Sequence, residues 1–157
     1  MITYVQGDAT SPIGEGVKVI VHICNDIGGW GRGFVLALSA KWPEPEFNYR
    51  NWFAAREAAP FKLGMVQFVR VEEGLFVANL IGQHKIKWID DVPPIRYEAV
   101  HRGLMDVVAF ARLNLASVHM PRIGCGLAGG TWDRIEPIIQ ETLVARGVEV
   151  FVYDLPS

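Results

Sequence analysis

The sequence predicts an α/β fold with a mixed, mostly parallel sheet held between two helical layers. Three observations carry this. Short β-branched runs alternate with stretches of helical periodicity along the 157 residues. Residues 17–24 (VKVIVHIC) are almost continuously apolar, as a strand covered on both faces must be. Two glycine-rich turns, 25–33 (NDIGGWGRG) and 121–130 (PRIGCGLAGG), each follow a strand pattern and precede a helix pattern.

The elements follow in order. Residues 2–5 form a first strand closed by Gly7-Asp8, and 11–16 form a turn carrying Pro12, Gly14 and Gly16. After the strand at 17–24 and the first glycine turn, Phe34, Val35, Leu38 and Trp42 recur at helical spacing over 34–41, and Pro43 ends that helix. A second helix is expected at 46–57, with Phe47, Tyr49, Trp52 and Phe53 as its apolar contacts and Pro60 closing the segment. Residues 64–71 and 75–81 read as strands joined by Glu72-Glu73-Gly74, a hairpin signal. A polar stretch at 82–91 ends at Pro93-Pro94. The 3.6-residue period then runs over 95–113 through Ala99, Leu104, Val107, Val108 and Ala111. Residues 117–120 make a short strand feeding the second glycine turn. A helix over 131–146 has Thr131 as N-cap and Gly147 as C-cap, and 148–153 form the last strand. No repeat, low-complexity tract or linker interrupts the chain, so one domain over 1–157 is expected.

Composition narrows the function classes. Half the residues are hydrophobic, a fifth are charged and the formal net charge is −2. That balance argues against general nucleic-acid binding, which calls for a basic face. It leaves room for a small anion held by backbone amides. No apolar run is long enough to span a bilayer, and no charged-then-apolar leader precedes Ile2, so no membrane partner and a cytoplasmic location are expected. Nothing demands more than a monomer. Cys24 and Cys125 match no metal-ligand spacing and read as free thiols packed as small apolar residues; neither a metal nor a cofactor is expected.

The strand–glycine turn–helix order is what a phosphate group needs. Glycine lets the backbone come close, and the N–H groups at a helix start carry partial positive charge. Both turns fall at the carboxyl ends of predicted strands, where open α/β sheets bind ligands. Two such turns suggest a ligand gripped from both sides, such as a nucleotide diphosphate.

Four strings carry a family resemblance: ITYVQGD at 2–8, the 28–33 turn, MPRIGCGL at 120–127 and the ending Val152-Tyr153. With them the chain resembles the macrodomains, ADP-ribose-binding modules, over essentially its whole length. It is most similar to the small macrodomains that remove ADP-ribose from glutamate. The resemblance implies a three-layer α/β/α macrodomain-like fold and a set of site roles. Asp8 and Ala9 would lie at the adenine end, with the Asp8 carboxylate accepting from the adenine amino group. Tyr153 would stack on the adenine face. The structural alternatives are a turn aspartate bonding its own backbone and a half-buried strand aromatic. Gly29, Trp30, Gly31, Arg32 and Gly33 would wrap the distal ribose and the diphosphate. Within that turn, Trp30 either covers the ribose or packs under the loop, and Arg32 either pairs with a phosphate or stays solvated. Ile123, Gly124, Cys125, Gly126, Leu127 and Ala128 would offer backbone amides to the diphosphate from the other side. No histidine stands near Cys125 in sequence, so it reads as a packing residue rather than a nucleophile.

The catalytic pattern departs from the relatives. The glutamate-specific enzymes use a lysine after the hairpin strand and an aspartate in the second glycine turn. Gln83 and Ala128 stand at those positions. Lys85 or Lys87 would replace the lysine only if the loop register shifted. A water-mediated route remains, with Asn25 holding the distal ribose hydroxyls, Asp26 orienting water or acting as base, and Gln83 as a polar positioner. His84 is a further candidate base. His22, within a β-branched strand, reads as a core residue. The expected activity is cleavage of ADP-ribose esters: glutamyl or aspartyl ADP-ribose on protein, or O-acetyl-ADP-ribose. Alternatives are a non-catalytic ADP-ribose reader and a phosphatase acting on ADP-ribose phosphorylated at the distal ribose. A nicotinamide dehydrogenase is disfavoured, because the first turn lacks the G-x-G-x-x-G spacing.

Overall fold

A six-stranded sheet in the order β1-β6-β5-β2-β4-β3 forms the centre of the molecule. The structure is a computed structural model describing residues 1–156. Its strands are β1 (Ile2–Gln6), β2 (Lys18–Asn25), β3 (Val66–Glu72), β4 (Leu75–Gln83), β5 (Ser117–Met120) and β6 (Val150–Asp154). All neighbours run parallel except β3, which returns on β4 through the hairpin with Arg70 opposite Phe76. The helices are α1 (Phe34–Lys41), α2 (Glu44–Ala54), α3 (Tyr97–Asn114) and α4 (Trp132–Thr142), with short 3-10 turns at Gly126–Ala128 and Val144–Arg146.

The alternation of β2 divides the core. Val19 and Val21 point into a cluster with Leu104, Val107, Ile135 and Ile139 of α3 and α4. Ile20 and Cys24 point into a second cluster with Val35, Leu38 and Tyr49 of α1 and α2. One helix pair therefore covers each face, giving three layers. Burying each such aliphatic side chain contributes roughly 1.5–3 kcal/mol, and truncating Ile20 to alanine would cost about 2–5 kcal/mol. Helix α3 lies close on β4 because Gly103 has no side chain; a Cβ there would meet Leu80 Cγ at 2.4 Å.

Some boundaries differ from expectation for identifiable reasons. Helix α2 starts at Glu44, since Pro43 and Pro45 both suit its first turn, and Phe47 is 65% exposed rather than packed. Helix α3 starts at Tyr97, because Ile95 is held extended by its N–H to Ala128 O (3.0 Å) and its bridge to Gln83. Helix α4 ends at Thr142. There the Thr142 hydroxyl donates back to Ile138 O (2.7 Å), Arg146 takes the carbonyls of Glu141 and Thr142, and the chain tightens into the 3-10 turn. Thr131 occupies the α4 N-cap position, but its side chain makes no capping bond. Among the described residues, no helix is long and apolar enough to cross a membrane.

Candidate functional site

Both glycine turns leave the carboxyl ends of β2 and β5, which are neighbours in the sheet. Two adjoining cavities of about 560 and 350 Å³ lie there and share Ile23, Arg32, Val35, Gln83 and Leu127 as walls. The larger is bounded by the first turn with Ile86 and Lys87; the smaller lies under the second turn, against His22 and Phe34. Each volume is typical of a small-molecule site. Together they form one cleft.

Asn25 builds the first turn. Its Oδ1 accepts from the N–H groups of Ile27 (3.0 Å) and Gly29 (2.9 Å), and its Nδ2 donates to Gly29 O (2.9 Å). The Tyr49 hydroxyl, coming from α2, donates to Asn25 O (2.5 Å) and lies 3.0 Å from Oδ1. Gly28 has φ 76°, and a Cβ there would meet the Phe53 ring at 2.4 Å. Arg50 donates to Gly28 O (3.2 Å) while held by Glu46 at 2.9 Å. Trp30 is 5% exposed, donates from Nε1 to Ser39 (2.8 Å) and meets His22 edge-on at 5.3 Å. It packs beneath the loop and contributes only to the cleft floor.

The second turn is a tight reversal in which Gly130 N–H donates to Gly124 O (2.8 Å) and Gly124 and Gly126 have positive φ. Its Cys125 thiol is pushed up in pKa by burial, against the lowering influence of Arg122, which agrees with a non-nucleophilic residue. Arg122, on the wall of the smaller cavity, is held in a bidentate pair with Asp154 at 2.7 and 2.9 Å. The N–H groups of Gly31, Arg32 and Gly33 in the first turn take no acceptor among the described residues, whereas the second turn closes on itself through the Cys125–Gly130 bridge. The two turns line the cleft together, Gly29, Gly31 and Arg32 on the larger cavity and residues 121–128 on the smaller, with Arg32 on both walls.

The remaining predicted residues divide. Asn25 and Gln83 line the larger cavity; Asp26 does not. Both Asp26 oxygens are occupied, Oδ1 by Lys85 N–H and Oδ2 by His84 Nδ1, each at 2.7 Å. It clamps the two strand-end loops together. Lys87 lines the cleft, Lys85 does not, and Ala128 is buried under the second turn. Asp8, Ala9 and Tyr153 lie outside the cavity walls, at the β1–β6 edge. Asp8 Oδ1 accepts from Thr10 N–H (2.8 Å) and Oγ1 (2.7 Å), so the turn geometry is present, while Oδ2 has no protein partner among the described residues. Desolvation raises the Asp8 pKa, but the Thr10 bonds and the Lys41 charge outweigh it and hold the carboxyl below its ordinary value. The Ala9 side chain is buried.

Tyr153 does not form a stacking platform. It is 4% exposed, accepts from Ile13 N–H (3.0 Å) and lies 2.7 Å from His119 Nδ1, so its ring is part of the core. His22 is buried as expected, with Nε2 on Asn79 Oδ1 at 2.5 Å and burial lowering its pKa to about 4. Sequence reasoning missed the Asp26–His84 pairing and the place of Lys87, because both depend on loops that are distant in the chain. Among the described residues, no group of three or more His, Cys, Asp or Glu side chains could hold a metal.

A solved macrodomain protein from Streptomyces coelicolor is 55% identical to the chain, covers 98% of it and 99% of its own length, and superposes with a TM-score of 0.89. The chain belongs to the macrodomain family. Among curated proteins, a chromodomain-helicase-DNA-binding protein 1-like of Mus musculus is 32% identical over 164 residues, covering 99% of the chain. The macrodomain spans only 18% of that relative's length. A DNA ADP-ribosyl glycohydrolase of Mycobacterium tuberculosis is 27% identical over 137 residues, covering 87% of the chain and 37% of its own length. No family model matches the chain.

Proposed function

We propose that this macrodomain binds ADP-ribose in the cleft and hydrolyses ADP-ribose esters with water as nucleophile, without a lysine–aspartate pair. The observation that carries the binding reading is the set of main-chain N–H groups of Gly31, Arg32 and Gly33 left without acceptors at the cleft that both glycine turns line. Such donors suit a diphosphate, whose oxygens accept and whose charge the helix start and Arg32 favour. In this reading Gly29–Gly33 and residues 123–128 hold the diphosphate and distal ribose, with Asn25 shaping the first turn. The free Asp8 Oδ2 takes the adenine amino group, with Ala9 beside it.

The hydrolase reading draws on the relative named as an ADP-ribosyl glycohydrolase and on the polar groups beside the cleft. Gln83 positions the leaving side, and Asp26 acts through His84. An aspartate on Nδ1 fixes the imidazole so that Nε2 is free to take a proton from water, the division of labour found in Asp–His pairs. The acceptors considered are glutamyl or aspartyl ADP-ribose and O-acetyl-ADP-ribose. A second reading, a reader without turnover, is favoured by Ala128 and Gln83 at the positions of the customary pair.

Two measurements test this. Calorimetry with ADP-ribose should show saturable binding, and silence at millimolar ligand would remove the binding reading. Incubation with a glutamate-ADP-ribosylated protein should release ADP-ribose; binding without release leaves the reader.

A further inference from the structure

A third cavity, of about 570 Å³, has no wall residue in common with the cleft. It stands back to back with the second glycine turn through Ile95, whose Cδ1 lies 2.8 Å from where a Cβ on Gly124 would sit. Three arginines line it: Arg96 at the entry to α3, Arg102 further along α3, and Arg134 on α4. None has a carboxylate within 4.0 Å among the described residues, although Glu98 lies on the same wall.

These arginines are held in place. Arg134 lies over the Tyr97 ring, its guanidinium carbon 4.3 Å from the centroid. The Arg102 stem packs on Gly64, where a Cβ would meet its Cδ at 2.7 Å. Arg96 Nη1 donates to the carbonyls of Pro93, Pro94 and Ile95 at 2.5, 3.0 and 3.1 Å. The chain as a whole carries a net charge of −2, so three unpaired cations around one cavity do not follow from general basicity. Three like charges with Glu98 as the one carboxylate on the wall repel, and an anion among them relieves that repulsion. Guanidinium forks match phosphate oxygens in pairs, and ordering the stems beforehand lowers the entropy lost on binding.

We propose that this cavity is a second anion site, taking a diphosphate group independently of the cleft. The test is calorimetry with inorganic pyrophosphate on the full chain, with the cleft saturated by ADP-ribose. Pyrophosphate should still bind. The Arg102→Ala/Arg134→Ala variant should weaken it at least tenfold while changing ADP-ribose affinity less than twofold. Both arginines are exposed at the surface, so the fold should survive, and a matching thermal transition checks this. No pyrophosphate binding by the unaltered chain, or equal affinity in the variant, overturns the proposal. If ADP-ribose itself fails to bind, the cleft reading fails, yet the comparison of the two proteins with pyrophosphate still reports on this cavity.

Discussion

Replacing Tyr49 by phenylalanine isolates one hydroxyl that holds the first glycine turn. The ring is fully buried and keeps its neighbours, Trp30 at 5.5 Å and Phe61 at 5.8 Å, so no cavity opens around it. What is lost is the bond to Asn25 O (2.5 Å) and the contact with Oδ1 (3.0 Å). Burial raises the hydroxyl pKa far above its ordinary value, so the group is a donor at every working pH. Oδ1 keeps its bonds from Ile27 and Gly29, whereas the carbonyl loses its side-chain donor. Leaving such a part-buried acceptor short costs about 1 kcal/mol, at most about 3 kcal/mol. Urea unfolding should show that loss with an unchanged slope, and the melting temperature should fall by about 2–4 °C per kcal/mol. In the proposed reading the loosened turn must be ordered by the ligand, so ADP-ribose affinity should fall about fivefold, equivalent to roughly 1 kcal/mol. A stability change under about 0.3 kcal/mol would refute the idea that this hydroxyl holds the turn. A loss above about 4 kcal/mol would show that ring packing, not the hydroxyl, was disturbed.

Two further outcomes are expected. Desolvation lowers the folded-state pKa of both His22 and His119 to about 4, so the folded protein takes up protons less readily than the unfolded chain. Their contribution is complete above the ordinary histidine value of about 6.5 and is lost as pH falls towards 4, by roughly 3 kcal/mol for each histidine at pH 4. Urea midpoints measured at pH 7, 5.5 and 4.5 should therefore fall in that order, and coincident curves would contradict the burial argument. For catalysis, His84→Gln should lower kcat by about a hundredfold or more, with ADP-ribose affinity within threefold of the parent and partial rescue by added imidazole. Asp26→Asn should lower kcat less. Unchanged rates in both variants would remove the His84–Asp26 pair from the reaction.

The legible parts of the fold were those written in local pattern. The apolar run at 17–24 marks a strand covered on both faces, and β2 (Lys18–Asn25) has core clusters on each side. The helix expected at 34–41 coincides with α1, because Gly33 and Pro43 delimit it from either end. What could not be read were features made by distant partners. Trp30 in a glycine turn has two plausible positions until Ser39, Tyr49 and His22 are brought around it. Tyr153 looks like a strand-end aromatic, but its hydroxyl is taken by Ile13, 140 residues away, and His119, 34 away. Asp26 and His84 are 58 residues apart and meet because β2 and β4 pair in parallel, with a register shift after Cys24 that sets Asn25 opposite Gln83.

That contrast bears on how binding and chemistry are divided in the cleft. The unpaired donors of the first turn belong to the main chain, and their positions are set by glycine conformations, by Asn25 and by the Tyr49 hydroxyl from α2. Affinity resting on such donors is insensitive to which side chains occupy 125, 127 and 128, as long as the turns keep their shape. In the proposed reading, chemistry depends instead on side chains at the strand-end loops, Gln83, His84 and Asp26, with Lys87 at the wall. On that reading, substitutions at 83 and 128 alter or abolish turnover while leaving the grip intact. On the proposed reading, ADP-ribose affinity and hydrolysis should respond to different variants of the same cleft: Tyr49→Phe acting on the first and His84→Gln on the second. A single variant that moved both in proportion would mean that the turns and the strand-end loops form one cooperative unit, with His84–Asp26 as a brace rather than a proton acceptor.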